Sequence, residues 1–253
     1  MPSLNVHLLP TQVTAEELAG SVVIVIDLLR ASSTICQALA SRASCVMPFL
    51  EIEDARRAAE GYDRSQIVLG GERHGRVIEG FDLGNSPLEY SPVAVAGKPL
   101  LFTTTNGTRA MLHARLARRT LIGCALNRQA IAEAVANEPQ IDIVCAGTDG
   151  AVTGEDVLAA GAIADVLLAS STAAWDLNPA AVDARQQWQT VVAAGAAAGR
   201  DPSAQFALAM RDTPGGSNLL EIGHGIDLDV CAELDILPIV PELNHATGEI
   251  RPA

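Results

Sequence analysis

The sequence predicts an α/β protein built in three layers, α/β/α, around a mostly parallel or mixed central sheet. Two observations predict it. Short aliphatic runs alternate with longer stretches of helical character, the pattern of a sheet covered on both faces by helices. Polar residues, chiefly Asp, Arg, Thr and Gly, gather where the strands end, and that edge of an open α/β sheet forms the usual ligand crevice. With 253 residues, 49% of them apolar, the chain has ample material for a core.

In chain order, the first strands are Asn5–Leu9 and Val22–Ile26, the second of which (VVIVI) is the longest aliphatic run. A Ser-Ser-Thr cap then opens a helix over Ser32–Ser41. A strand at Cys45–Pro48, a helix at Ile52–Gly61 and a strand at Gln66–Leu69 follow. The turn-rich segment from Gly70 to Pro87 has little periodicity and reads as a long loop, which inside a compact domain is more often functional than filler. Strand Pro99–Thr103 leads into helix Gly107–Leu116, Thr120–Gly123 into Arg128–Asn137, and Asp142–Cys145 into Gly154–Ser170. Two more helices are expected, Ala181–Ala198, whose Trp188 and tract of small residues suit close helix packing, and Pro202–Arg211. No repeat or Pro/Gly/Ser hinge divides the chain. It reads as one domain over residues 1–253, with a helix-rich C-terminal elaboration after about residue 170.

Charge narrows the function. The formal net charge is −13, from 17 Lys+Arg against 30 Asp+Glu, which excludes a generic nucleic-acid coat and a polybasic membrane anchor. The excess is uneven: residues 1–128 carry 13 basic and 12 acidic side chains, residues 129–253 carry 4 and 18. The single lysine, Lys98, lies in no phosphate-binding GxxxxGK[ST] loop, so anion handling falls to arginine, backbone N–H groups or a metal. Aromatics are too scarce for a base-stacking platform. No apolar run approaches the roughly 18 residues of a membrane span, and the N-terminus lacks a basic leader. The five cysteines form no CxxC pair and read as reduced thiols, so a cytoplasmic location is expected.

Three strand ends carry the chemistry. After VVIVI, Asp27 and Arg30 offer a metal-binding or nucleophilic carboxylate beside an anion clamp; the alternative is that Asp27 caps the helix and Arg30 pairs with it. A dehalogenase-type phosphatase would need a second acid two residues after Asp27, where Leu29 stands. After PLLFT, the sequence Thr103-Thr-Thr-Asn-Gly-Thr-Arg109 joins a strand to a helix start whose hydroxyls and N–H groups can cradle an oxyanion. After DIVC comes Ala146-Gly-Thr-Asp149-Gly, with Glu155 and Asp156 close behind. Cys145 begins no tyrosine-phosphatase loop, because Ala151 stands where that loop needs arginine. In the long loop, Glu72, Glu79 and Asp82 can supply hard oxygens for Mg²⁺, and Arg73 and Arg76 can meet phosphate or sulfonate. His74 is a proton donor or an exposed loop residue. No GxSxG elbow and no His-based zinc motif is present.

The segments DLLRASST, LGGERHGRVIEGFDLGNSPLEY, TTTNGTRA and CAGTDG followed by EDVLAAGAI, in this order, resemble the 2-phosphosulfolactate phosphatase family. The likeness is firmest over about residues 20–165 and extends to the Val240-Pro-Glu segment. It implies a three-layer α/β/α fold and a Mg²⁺-dependent acid phosphatase that hydrolyses 2-phospho-3-sulfolactate to 3-sulfolactate and phosphate, a step toward coenzyme M. The residues agree with that chemistry in outline. Asp27, Arg30 and Asp149 are expected to be catalytic, with Asp27 either a metal ligand or the phosphorylated nucleophile. Arg30, Arg73, Thr105, Asn106, Gly107, Thr108 and Arg109 are expected to bind substrate, and Asp27, Glu79 and Asp82 to hold Mg²⁺. The expected partner is a small anionic phosphorylated hydroxy acid, with neither nucleic acid nor membrane; a homodimer is left open. Another 2-phospho-hydroxy acid as substrate, or a non-catalytic anion-binding protein, are the competing readings.

Overall fold

A computed structural model describes residues 1–253. The chain runs β1 (Ser3–His7), β2 (Val22–Ile26), α1 (Ala31–Ala40), β3 (Cys45–Phe49), α2 (Ile52–Ala59), β4 (Val68–Arg73), β5 (Arg76–Val77), α3 (Pro92–Val95), β6 (Pro99–Thr103) and α4 (Asn106–His113). It continues with β7 (Arg119–Ile122), α5 (Arg128–Val135), β8 (Gln140–Cys145), α6 (Gly154–Ala169), β9 (Asp176–Leu177), α7 (Pro179–Ala197), α8 (Pro202–Met210), α9 (Pro214–Glu221), α10 (Ile226–Cys231), β10 (Pro241–Asn244) and β11 (Glu249–Pro252). All strands join one mixed sheet in the order β5-β4-β6-β3-β11-β10-β7-β2-β8-β1-β9. The expected α/β class is correct.

The sheet has two parallel parts. One is β4-β6-β3; the other is β7-β2-β8-β1-β9. Between them lies the antiparallel hairpin β11-β10, which pairs with β3 on one side and β7 on the other. Three successive antiparallel pairings make the two parts run in opposite senses. The C-terminal segment therefore supplies strands at the middle of the sheet as well as the expected helices. These strands have no aliphatic run to announce them: PELN and EIRP read as polar tail until their neighbours are in place.

The alternation of β2 shows how the layers form. All five of its residues are buried, as in a strand covered on both faces. Val22, Ile24 and Ile26 pack with Leu4, Ile141 and Ile143 under α5, α6 and α7. Val23 and Val25 face the other way and share a cluster with Val46 of β3, Leu100 and Phe102 of β6, and Ile35 and Met111 of α1 and α4. Residues at the ends of β2, β4, β6 and β8 nonetheless line one cavity despite the reversal of direction. On the first face, Gly161 of α6 lies directly against the Ala184 carbonyl of α7, and Trp188 meets Phe206 edge to face at 5.2 Å. Ala184 and Trp188 thus serve the close packing expected of α7, whereas of the small residues that follow Trp188 only Gly195 is buried.

The segment from Gly70 departs from the loop reading. β4 extends to Arg73 and turns back as β5. Its glycines permit this: a Cβ at Gly71 (φ +139°) would collide with the Thr103 backbone, and one at Gly70 with the Tyr90 hydroxyl. A strand that must lie this close to its neighbour needs Gly-Gly, a composition that in sequence looks like a turn.

Candidate active site

Asp27 is the first residue beyond β2. Its N–H donates to Ser32 Oγ at 2.9 Å, its carbonyl accepts the Ser32 N–H at 2.9 Å, and its Oδ1 accepts the Ala31 N–H at 3.4 Å. It therefore helps cap α1, and it also faces a cavity of about 380 Å³. The start of α4 closes on it from the side, where a Cβ on Gly107 would stand 2.8 Å from Asp27 Oδ2. Burial, then the charge of Glu72, push the Asp27 carboxyl up to about 7, against the opposing pull of the Ala31 and Gly107 amides.

Arg30 lines the same cavity, yet its partner is not Asp27. Nη1 donates to Asp227 Oδ2 at 2.6 Å and Nη2 to the Gly75 carbonyl at 3.0 Å. The pair is 3% and 0% exposed. Hairpin β4-β5 contributes Glu72, His74 and Gly75 to the wall, and the loop before α3 contributes Asn85, whose buried Oδ1 has no partner.

Thr104, Thr105 and Asn106 bring the start of α4 to the cavity. The N-cap Thr105 makes no side-chain cap to this helix, and the Gly107 amide in its first turn bonds the Asp27 carboxyl, so this helix start already receives negative charge. From the β8 end come Thr148 and Asp149; the Asp149 N–H donates to Asn106 Oδ1 at 3.4 Å, with Asp149 at φ +52°. Behind this wall Asp156 accepts the Leu28 N–H at 2.8 Å through Oδ1 and the Gly147 N–H at 3.0 Å through Oδ2. One carboxylate thus fastens the ends of β2 and β8 together. Burial, Asp27 and Glu155 hold the Asp156 carboxyl well above the ordinary range, and burial likewise raises Glu155, whose Oε2 lacks a partner. Helix α9 completes the enclosure with Gly215, Asn218 and Glu221.

The structure therefore gathers Asp27, Arg30, Thr105, Asn106 and Asp149 around one cavity, and leaves six other expected site residues off its wall. Successive strand residues point to opposite faces, so with Glu72 turned inward, Arg73 points away and donates to the Leu50 and Glu72 carbonyls. Arg109 lies on the exposed side of α4. Gly107 and Thr108 are buried beside the wall, Gly107 against Asp27 and Thr108 bonded to Thr104 at 3.2 Å. Asp82 is taken by Arg64 at 2.6 Å and the Leu69 N–H at 2.8 Å, and exposed Glu79 offers its backbone carbonyl to Arg56. The expected triad Asp27, Glu79 and Asp82 is not assembled, and no three His, Cys, Asp or Glu side chains converge as a ready-made metal cage.

Asn218, Glu221, Asp227 and the clamping role of Asp156 were not read from the sequence. Thr213-Pro-Gly-Gly-Ser-Asn218 does carry a signal, since Thr213 caps α9 by accepting the Gly216 N–H at 3.1 Å. Asp227 carries none; it is one acid among the 18 after residue 128.

The balance of charge on the wall decides what the site can do. Asp27, Glu72, Asp149 and Glu221 face Arg30 and His74, and Arg30 is already matched by Asp227. The wall is net negative, so an anionic ligand needs a cation with it. Mg²⁺ characteristically takes one or two protein carboxylates and completes its shell with water and phosphate oxygens. Asp27 and Glu72, the second of which raises the Asp27 carboxyl, form a donor pair of that kind.

A family model described as 2-phosphosulpholactate phosphatase matches residues 7–246. A protein of Symbiobacterium thermophilum is 40% identical over 228 residues, covering 90% of this chain and 93% of its own. A Synechococcus protein is 41% identical over 233 residues, with 89% and 90% covered. One from Prochlorococcus marinus is 40% identical over 225 residues, with 86% and 87% covered. All three bear the name "Probable 2-phosphosulfolactate phosphatase".

Proposed function

The chain belongs to the 2-phosphosulpholactate phosphatase family, and from that premise we propose that it is a Mg²⁺-dependent phosphatase of 2-phospho-3-sulfolactate. The products are 3-sulfolactate and phosphate, on the route to coenzyme M. The observation that carries this reading is the pairing, in one cavity, of the carboxylates of Asp27 and Glu72 with the start of α4.

Asp27 and Glu72 would hold the cation, which when bound offsets phosphoryl charge and polarises the ester. The Asn106 amide and the hydroxyls of Thr104 and Thr105 would receive phosphoryl oxygens, with the helix dipole favouring negative charge there. Arg30 supplies N–H donors to a further anionic group of the substrate. Asp149, exposed at the rim beside Asn106, donates its N–H to that amide side chain, and its carboxylate would accept a proton from attacking water. Asp27 acts here as a ligand, since a carboxylate facing Glu72 is better matched to a cation than to a phosphoryl group. Five free buried cysteines support action in a reducing cytoplasm, and no helix of the protein is long and apolar enough to cross a membrane.

Phosphate release is the test. Incubation with 2-phospho-3-sulfolactate at mildly acidic pH should liberate phosphate with Mg²⁺ and not with EDTA, alongside phospholactate and phosphoglycolate as comparison esters. Turnover of a comparison ester in preference would reassign the substrate. Thermal stabilisation by these anions without hydrolysis of any would replace the enzyme with a binding protein. Rapid-quench trapping of an acyl-phosphate would return Asp27 to the nucleophile role.

A further inference from the structure

Arg30 is the only arginine on the cavity wall, and it is held from behind. Asp227 of α10 engages both of its oxygens while fully buried: Oδ2 accepts Arg30 Nη1 at 2.6 Å, and Oδ1 accepts Ser86 Oγ at 2.6 Å. His224 Nδ1 stands 3.5 Å from the same Oδ2. On the other side the Gly75 carbonyl takes Arg30 Nη2 at 3.0 Å. A guanidinium has five N–H donors in a fixed plane, so fixing two of them, one to Asp227 and one to the Gly75 carbonyl, determines where the others point.

Four distant segments meet at this point: the start of α1, the β4-β5 turn, the loop at Ser86 and α10. A buried ion pair adds little net stability compared with an apolar replacement, whereas it does determine orientation. We propose that Asp227 is a positioning residue, which fixes the Arg30 guanidinium so that its remaining donors meet the anionic groups of a phosphorylated hydroxy acid. Recognition of the anion thereby depends on the seating of α10 beside the cavity. The identity of the anion rests on the phosphatase reading above; the orientation of Arg30 does not.

The experiment compares Asp227→Asn, Asp227→Glu, Arg30→Gln and the Arg30→Gln/Asp227→Asn double variant, each as the full chain with Mg²⁺. The Asp227 variants should raise KM for 2-phospho-3-sulfolactate by about 10-fold or more while kcat stays within about 3-fold, and the double variant should be no worse than Arg30→Gln alone. A folded Asp227 variant with the KM of the parent, or losses that multiply in the double variant, overturns the proposal. Should Asp227→Asn fail to fold, Asp227→Glu, which keeps the charge but displaces the guanidinium, carries the same reading. A second readout is independent of substrate: the NMR signal of the Arg30 Nη1–H that meets Asp227, assigned with Arg30→Lys, should exchange slowly in the parent and broaden or vanish in Asp227→Glu. Its persistence in that variant defeats the proposal. Absence of hydrolysis with any ester, by contrast, defeats only the phosphatase reading.

Discussion

Asp27 shows how one residue can answer to two demands. Its carboxyl caps the start of α1 and at the same time faces the cavity that Glu72 lines, and burial, then the charge of Glu72, push it up to about 7. The consequence for stability has a definite sign. A carboxyl raised from 3.8 to about 7 binds more protons in the folded state, so folding is favoured below the unfolded value and loses stability as pH climbs toward and through about 7. Each pKa unit corresponds to about 1.4 kcal/mol, giving an upper bound of about 4 kcal/mol for this group. Denaturant unfolding of the metal-free protein should therefore show stability falling between about pH 4 and about pH 7, with a shallower fall in Asp27→Asn. Mg²⁺ should restore stability at the upper end in the parent only. Gly107 offers a second test at this scale. With a Cβ only 2.8 Å from Asp27 Oδ2 and 2.9 Å from Ala31 Cβ, Gly107→Ala should lower kcat/KM by about 100-fold through displacement of the carboxylate, with the protein still folded by circular dichroism. Neither effect is visible in the sequence, where Gly107 reads as part of an anion cradle.

The elements differ in how legible they are. Strands β2, β6 and β8 and helices α1, α6 and α7 are read with errors of a residue or two, because aliphatic runs and helical periodicity are local properties. The β4-β5 hairpin is not, because what makes it a strand is the proximity of Thr103 and Tyr90 to Gly71 and Gly70. That mistake propagates to the site: in a loop Glu72 and Arg73 are equivalent candidates, in a strand only one of them can face the cavity. Helix packing on the remote face should be separable from function. Trp188 is fully buried against Phe206, so Trp188→Ala should cost about 3 to 5 kcal/mol in denaturant unfolding. Well below the melting transition, its kcat/KM should stay near that of the parent. A large loss of kcat/KM in protein that remains folded would show that α7 does more than cover the sheet.

For the whole molecule, the C-terminal segment decides the architecture. Hairpin β10-β11 is the only link between the two parallel parts of the sheet, and Leu243 and Ile250 sit in the cluster that those parts share. A chain ending at residue 240 should therefore fail to unfold cooperatively and should elute as expanded or aggregated species, where an appended helical elaboration would be expendable. The net charge of −13 takes on meaning at this scale too. Much of the acidic excess lies after residue 128, and the fold brings part of it, Glu221 and Asp149, onto the same wall as Asp27 and Glu72. By itself the sequence determined the α/β class, the family likeness and the strand ends that carry Asp27, Arg30, Thr105, Asn106 and Asp149, since these rest on short-range periodicity and contiguous motifs. Only the tertiary structure decided which acids join Asp27, that Arg73, Arg109, Glu79 and Asp82 stand off the cavity wall, and that Arg30 answers to Asp227. The physical reason is that partner choice across 197 residues depends on where a strand's alternation and a helix's seating aim each side chain, and no local pattern encodes it.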